Sequence, residues 1–187
     1  LATAPVEQDA EQIEYARRRL QELESTLSKK VSGRNSEVPS KPIQEHEPSS
    51  AADWNSEART LDNLGRHEEA MLCLDRALQL DPRIAAVWDN KGNILAGLGR
   101  FEEALRCHGQ ALELEPLNAV AWNNKGRCLG KLGRHEEAIG CFDKALELEP
   151  GRADVWNDKG GSLIAMGRNA EATYCLERAL ELDPSNV

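Results

Sequence analysis

Cysteine is the residue type whose chemistry and spacing first suggest a functional site in this chain. The chain has five cysteines, and four of them recur at intervals of 34 residues. These four are Cys73, Cys107, Cys141 and Cys175, and the fifth is Cys128. A row of thiols could form disulfides or bind a metal, but the sequence contains no C-x-x-C pair. We predict that they are buried packing residues, and their odd number favours the reducing cytoplasm.

The four histidines do not combine with other residues into a catalytic pattern. His67 and His135 are predicted to lie at equivalent turns between helices, His108 at a core position and His46 in a polar segment. The sequence contains no G-x-S-x-G, no phosphate-binding glycine loop and no H-E-x-x-H. We therefore predict a protein that is not an enzyme and that has no metal site and no cofactor.

The spacing of the tryptophans indicates how the chain is divided into structural units. The chain's only tryptophans are Trp54, Trp88, Trp122 and Trp156, each 34 residues after the one before. A fixed period of this length is typical of stacked repeats. The corresponding windows are 51–84, 85–118, 119–152 and 153–186. Because such arrays present extended surfaces to partners, the period favours a binding function.

Each window reads as a helix, a turn and a second helix, with positions counted from its first residue. Glycine at position 15 suits the left-handed cap that ends the first helix. Proline at position 32 ends the second helix. Alanine or glycine at position 8 and alanine at position 20 allow the two helices to approach closely. Equivalent helices of neighbouring repeats should lie roughly 8–10 Å apart, which is too far for a disulfide between their cysteines.

This pattern of tryptophan, small residue, alanine and proline resembles the tetratricopeptide repeat, four times over residues 51–186. The resemblance implies an all-α fold, a right-handed α-solenoid of four helix-turn-helix repeats. Two positions depart from the family. Position 7, usually leucine, is lysine in three repeats, and we expect these lysine stems to lie along apolar surface with their ammonium groups in solvent. Position 24, usually bulky and often aromatic, is His108 in the second repeat.

The resemblance also implies a binding surface, because first helices line the concave face of such arrays. Positions 5, 6 and 9 would lie on that face. The candidate peptide- or partner-binding residues are Asn55, Arg59, Asp89, Asn90, Asn93, Asn123, Asn124, Arg127, Asn157 and Asp158. Asparagine amides both donate and accept hydrogen bonds, so they could hold the main chain of an extended peptide. Alternatively, asparagine at these positions serves only the fold.

The first fifty residues differ in composition from the repeats. Residues 1–30 are predicted to contain an N-terminal amphipathic helix or short coiled coil, with apolar residues such as Ile13, Leu20 and Leu27 at heptad positions. Residues 31–50 are rich in proline and serine and are predicted to be a linker. The chain begins at Leu1 without an initiating methionine or a signal-peptide core. We interpret it as a piece of a larger protein.

Charge and hydropathy limit the possible partners. The net charge is −9, which argues against a nucleic-acid partner because phosphate neutralisation needs a basic stripe. No apolar run approaches about 18 residues, so no membrane span is predicted. We predict a cytoplasmic, non-catalytic protein–protein interaction scaffold that binds a peptide or partner segment in its concave groove.

Two alternatives remain open at this point. The first is homo-oligomeric assembly, through the N-terminal helix or through an uncapped last repeat in which Leu176, Leu180 and Leu182 would be open. The second is a regulatory or substrate-docking arm of a larger enzyme whose catalytic domain lies elsewhere in the protein.

Overall fold

The computed structural model describes residues 48–184, and they form four helical hairpins. The helices are α1 (Ala51–Asn63), α2 (His67–Leu80), α3 (Ala85–Gly97), α4 (Phe101–Leu114), α5 (Ala119–Lys131), α6 (His135–Leu148), α7 (Ala153–Ala165) and α8 (Asn169–Leu182). One hairpin occupies each predicted window, so the predicted all-α solenoid of helix-turn-helix repeats is confirmed. The predicted helix within residues 1–30, and the predicted linker as far as residue 47, lie outside the described residues.

Every first helix is capped by the glycine of position 15, two residues after its last helical residue, as the sequence predicts. The φ angles are +74° at Gly65, +76° at Gly99, +75° at Gly133 and +75° at Gly167. In the first hairpin, the N–H of Gly65 donates to the carbonyl of Asp62 at 2.9 Å, and the N–H of Arg66 donates to the carbonyl of Leu61 at 2.9 Å. These two hydrogen bonds together form a Schellman cap. A residue with a Cβ rarely adopts that φ, which explains why the turn requires glycine.

The first helix begins with a capping box made by the last residue of the predicted linker. The Ser50 hydroxyl accepts from the N–H of Asp53 at 3.1 Å, and the Asp53 carboxylate accepts from the N–H of Ser50 at 3.0 Å. Hydrogen bonding of its carboxyl with the side chain of Ser50, and then with the backbone N–H of Ser50, lowers the pKa of Asp53. Two otherwise unpaired backbone donors are satisfied in this way.

Tryptophan and proline, the most regular features of the sequence, contact each other across each repeat boundary. In each case the indole Nε1–H donates to the carbonyl oxygen of the preceding repeat's proline. The bonds are Trp88 to Pro82 at 2.9 Å, Trp122 to Pro116 at 2.9 Å and Trp156 to Pro150 at 3.0 Å. Each ring therefore buries apolar area while its polar edge anchors the turn between hairpins.

The hairpins stack mainly by packing the second helix of one repeat against the first helix of the next. Within residues 48–184, the first helices also contact in sequence, α1 with α3, α3 with α5 and α5 with α7, whereas the backbones of the second helices are not in contact with one another. Each second helix packs instead against its own first helix and, in the first three repeats, against the first helix of the next repeat. The first helices therefore form a continuous wall, which we call the inner wall.

Inside each hairpin, the small residue at position 8 leaves space for the side chain at position 24. A Cβ added to Gly92 would lie 2.5 Å from Cε1 of His108, and one added to Gly126 would lie 2.6 Å from Cε1 of Phe142. The predicted role of position 8 in close helix approach is confirmed. In the second and third repeats glycine is required at position 8, because the ring of the side chain at position 24 occupies the volume that a methyl group would need.

The five cysteines are buried and free, so their predicted packing role is confirmed. Burial raises the pKa of each thiol, to about 11 for Cys73 and Cys128. Thiols that remain protonated at neutral pH are poor nucleophiles. The most regular candidates for chemistry in the sequence therefore belong to the core.

Candidate protein-binding surface

All ten candidate binding residues lie on first helices, but they differ in exposure. The exposed ones are Arg59, Asn93, Arg127 and Asn157. The half-buried ones are Asn55, Asp89, Asn90, Asn124 and Asp158. Asn123 is buried, with 3% of its surface exposed. The inner wall thus carries two kinds of polar residue, one accessible to a partner and the other engaged within the protein.

The engaged residues link neighbouring repeats, because position 5 of one repeat meets position 6 of the next. The Nδ2 of Asn90 donates to Oδ1 of Asn55 at 2.8 Å. At the next boundary, Nδ2 of Asn124 lies 3.4 Å from each carboxylate oxygen of Asp89. These amides hold adjacent first helices in register. Sequence reasoning had treated them only as a possible peptide clamp or as part of the fold, and it did not identify the pairing.

The third boundary brings an amide and an acid together in the opposite order. Asp158 lies beside Asn123. The Oδ2 atom of Asp158 is 3.7 Å from Nε of Arg127. Burial raises the pKa of the Asp158 carboxyl, while the charge of Arg127 and a hydrogen bond from Asn123 oppose that shift. The Oδ1 of Asn123 is buried without a hydrogen-bond partner. This boundary is therefore the least well satisfied of the three.

Asp89 connects the inner wall to the core. Its carboxylate contacts Nδ1 of His108 at 2.9 Å and Nδ2 of Asn93 at 3.3 Å, in addition to Asn124. His108 is 0% exposed. Because an ionised carboxylate only accepts hydrogen bonds, Nδ1 carries the proton. The buried Nε2 is then a hydrogen-bond acceptor, and no donor lies within hydrogen-bond distance of it.

Sequence reasoning placed His108 correctly in the core but did not connect it with Asp89. A signal was available, because the second repeat is the one that combines histidine at position 24 with an acid at position 5. The other repeats have asparagine at position 5 and an apolar residue at position 24. A buried imidazole needs a polar partner, and position 5 is the place where the hairpin supplies one.

Apolar side chains lie next to the polar residues of positions 5 and 6 on the inner wall. Val120 and Ile164, at positions 2 and 12 of their repeats, are exposed on α5 and α7. Their neighbours at the same positions in the second repeat are the small residues Ala86 and Ala96. Together they give the wall shallow apolar areas next to hydrogen-bonding groups, a combination suited to an extended polypeptide.

The lysines at position 7 lie on the other side of the first helices, towards the second helices. Their ammonium groups lie over the tryptophan rings, at 6.0 Å from the Trp88 centroid for Lys91, 5.3 Å from the Trp122 centroid for Lys125 and 5.6 Å from the Trp156 centroid for Lys159. The expected contact with apolar surface is confirmed and is a cation–π contact. The expectation that all three ammonium groups are simply solvated is wrong, because two of them form ion pairs.

Comparison with known proteins identifies the family. Four windows match the tetratricopeptide repeat family, at residues 51–84, 85–118, 119–152 and 153–186. The chain belongs to the tetratricopeptide repeat family. The resemblance predicted from the sequence is therefore confirmed, and the array is a protein-interaction scaffold with a fold that is typically non-catalytic.

Solved structures of MamA share this fold. "Crystal structure of MamA" is 20% identical with a TM-score of 0.70, covering 76% of this chain and 83% of that one. "MamA 41-end from Desulfovibrio magneticus RS-1" is 22% identical with a TM-score of 0.69, covering 75% and 80%. "MamA AMB-1 C2221" is 26% identical with a TM-score of 0.63, covering 72% and 79%. No curated protein matches the chain.

Residues 48–184 contain neither a metal-binding cluster nor a membrane-spanning helix. Across these residues, no three histidine, cysteine, aspartate or glutamate side chains come together in a way that could hold a metal ion. In the same part of the chain, no helix is both long enough and apolar enough to span a membrane.

Proposed function

We propose that the inner wall binds an extended segment of a partner protein. The observation that carries the proposal is the pairing across repeats, which fixes a line of polar groups while leaving other polar groups on the same helices exposed. Prearranged groups lose little conformational entropy when a ligand binds. A peptide main chain lying along the wall would exchange hydrogen bonds with amides, and its side chains would contact Val120 and Ile164.

The candidate residues have different roles in this proposal. Arg59 and Asn157 contact the partner, because their side chains are exposed on the wall. Asn93 is also exposed and offers its Oδ1 to the partner, because its Nδ2 donates to Asp89. Asn90 and Asn124 are positioning residues, since their Nδ2 groups are already bonded to the preceding repeat. Arg127 is exposed but near Asp158, so it would contact a partner carboxylate only by giving up that pair.

Peptide binding by two double variants tests this division. An array of extended peptides would be screened against the chain, and the affinity of the best binder measured by calorimetry. We expect Asn93→Ala with Asn157→Ala to weaken binding about tenfold, because each lost hydrogen bond contributes about 1 kcal/mol or less. Stability in urea should change little, because both side chains are exposed.

The second double variant, Asn90→Ala with Asn124→Ala, should lower both stability and affinity, because it breaks the bonds between repeats. The matched control is Asn169→Ala, which removes an exposed asparagine side chain at the start of α8, a second helix. Affinity unchanged in both double variants would place the binding site away from the inner wall.

Self-association is a second candidate function, and one side chain favours it. Leu180 in α8 is 44% exposed, whereas its equivalents Leu112 and Leu146, which lie under the next repeat, are 7% and 8% exposed. Leu182 is exposed, as expected, but its equivalent Leu148 is similarly exposed, so this exposure is not particular to the last repeat. Leu176 is half-buried and packs against Gly160.

Light scattering over a concentration series tests self-association. If α8 mediates it, the mass should rise with concentration in the native chain and stay monomeric in Leu180→Glu, with Leu148→Glu as the control of similar exposure. A monomer at all concentrations would rule out assembly through this face. The predicted contribution of an N-terminal helix falls outside the described residues, and the predicted role as an arm of a larger enzyme stays a prediction.

A further inference from the structure

Two grooves on the outer side of the array share a set of equivalent lining residues, but the first has the carboxylate of Asp75 beside its lysine and the second has no equivalent of it. The α2–α4 groove, of about 870 Å³, has Trp88, Lys91 and Leu95 at its floor and Met71 and Asp75 on its α2 wall. The α4–α6 groove, of about 440 Å³, has Lys125 and Leu129 at its floor and Leu105 on its α4 wall. Asp75, at position 25, precedes Lys91 by 16 residues, and the residue at the equivalent place before Lys125 is Gly109.

This difference removes the counter-charge of one lysine. Lys91 forms an ion pair with Asp75 of the preceding repeat, and Lys159 forms the equivalent pair with Asp143, Nζ to Oδ1 at 2.6 Å. The residue equivalent to these aspartates for Lys125 is Gly109, which has no carboxylate, and among residues 48–184 Lys125 makes no ion pair. Two of three equivalent lysines thus show the geometry in which a carboxylate sits between an ammonium group and a second helix.

The nearest acid in the α4–α6 groove does not replace the missing partner. A hydrogen bond from Arg134 lowers the pKa of the Glu137 carboxyl, and the charge of Lys125 adds a smaller contribution in the same direction. Both carboxylate oxygens of Glu137 accept from Arg134, at 2.7 Å from Nε and 2.7 Å from Nη2. That pair recurs in the second repeat between Arg100 and Glu103, where Lys91 still has its own aspartate. The Arg–Glu pair is therefore a constant feature of the repeat.

We infer that the α4–α6 groove is a second protein-binding site, in which Lys125 binds an aspartate or glutamate side chain of a partner polypeptide in the place that Asp75 and Asp143 occupy in the neighbouring grooves. The site lies on the outer side of the first helices, so it is separate from the inner wall and does not depend on the function proposed for it.

The chemistry of the groove also selects what lies next to the carboxylate. Leu105 and Leu129 line it, and the Trp122 ring lies under the ammonium group. A half-buried ammonium group beside apolar surface is only partly hydrated, which strengthens its pairing with a carboxylate compared with a fully exposed pair. The preferred ligand is thus an acidic residue adjacent to an apolar one, and not an acidic run of high charge density.

Indole NMR signals provide a readout for each repeat. The chain has four tryptophans, one in each repeat, so its ¹H–¹⁵N spectrum contains one indole signal per repeat. The probes are acetylated and amidated hexapeptides with a single glutamate flanked by leucines, and the same peptides with glutamine. We expect the glutamate peptide to shift the Trp122 signal, and the glutamine peptide to bind about fivefold more weakly.

A pair of variants at position 109 provides the decisive comparison. A Cβ on Gly109 meets nothing within 4 Å, so both Gly109→Asp and Gly109→Ala can be accommodated on the helix. Gly109→Asp should supply the missing carboxylate from within and weaken the glutamate peptide about fivefold. Gly109→Ala should bind as well as the native chain. Equal binding by the aspartate and alanine variants would overturn the proposal.

The reciprocal variant tests whether the missing carboxylate is sufficient to create a site. Asp75→Ala frees Lys91, so the glutamate peptide should then shift the Trp88 signal as well. If Trp88 and Trp156 already respond in the native chain as strongly as Trp122, the site is not specific to the α4–α6 groove and the inference is wrong. A concentration-dependent Trp122 shift without peptide, lost in Gly109→Asp, would overturn the assignment to a foreign partner by identifying a second copy of the chain as the ligand.

Discussion

The second and third repeats have the same backbone plan and fill it with different chemistry. At position 24 the second repeat buries His108 and the third buries Phe142, each against a glycine at position 8. The imidazole requires a polar partner, and Asp89 at position 5 supplies it. The benzyl ring requires none, and position 5 of that repeat is Asn123. The residue at position 5 of the inner wall therefore matches what the core beneath it contains.

The difference between aspartate and asparagine at position 5 also changes the contacts at the boundaries between repeats. Asp89 meets Asn124 across one boundary, while Asn123 lies beside Asp158 across the next. The second and third boundaries thus each hold one acid and one amide, but in opposite order along the chain. Candidate binding residues in such an array cannot be read position by position, because the charge at one position depends on the partner at another.

The largest effect is expected from adding a methyl group under the aromatic ring of the third repeat. In Gly126→Ala, the new Cβ would lie 2.6 Å from Cε1 of Phe142, so we expect a loss of about 3 kcal/mol from the free energy of unfolding. Urea unfolding would measure this loss.

The first repeat suggests the compensating change, because it pairs Ala58 with Leu74 and buries both. Adding Phe142→Leu to Gly126→Ala should therefore recover about 1 kcal/mol or more. Strict additivity of the two single changes would show that positions 8 and 24 are not coupled.

The second largest effect is expected from breaking the polar pair of the second repeat. Asp89→Ala leaves Nδ1 of His108 buried without an acceptor, which should cost about 2 kcal/mol. Asp89→Asn, which keeps an acceptor oxygen, should cost less. If the two variants are equally stable, the contact between Asp89 and His108 contributes nothing to the difference between the repeats.

A smaller gain is expected from position 109, where the second repeat differs from its neighbours. Gly109 lies inside α4 with open space around its Cα, so Gly109→Ala should raise the free energy of unfolding by about 0.7 kcal/mol through helix propensity. Thermal and urea unfolding would both report it. A destabilised alanine variant would show that α4 requires glycine at this position for a reason other than conformational freedom.

The smallest effect concerns pH and the acid of the third boundary. Burial raises the folded-state pKa of Asp158, so its ionised form lowers stability at neutral pH and this penalty disappears as pH falls below the unfolded-state pKa. Asp158→Asn should therefore be more stable than the native chain at pH 7, with the difference shrinking in acid.

Asp154 is the control with the opposite sign. A hydrogen bond from Arg152 lowers the pKa of the Asp154 carboxyl, so its ionised form stabilises the fold above the unfolded-state pKa and that contribution is lost as pH falls through the folded-state pKa. Asp154→Asn should be less stable than the native chain at pH 7, with the gap closing in acid. A difference for Asp158→Asn that does not vary with pH would contradict the assigned cause.

The local structure of each repeat could be predicted from the sequence because each signal acts within a few residues. Gly65 and its equivalents end first helices since only glycine readily adopts their φ, and Pro82 and its equivalents follow second helices since proline cannot continue a helix. Burial of the cysteines also followed from their residue type. The family could be identified because these local rules recur in every window.

The partners of individual side chains were decided only by the tertiary structure. The Asn55–Asn90 bond joins residues 35 positions apart, and its existence depends on how far one first helix is displaced along the next, which no period in the sequence specifies. The same holds for Lys125, which looks identical to Lys91 and Lys159 in the sequence. Only the stacking of the hairpins shows that Lys91 and Lys159 form ion pairs with aspartates of the preceding repeat, whereas Lys125 has a glycine at the equivalent position of that repeat.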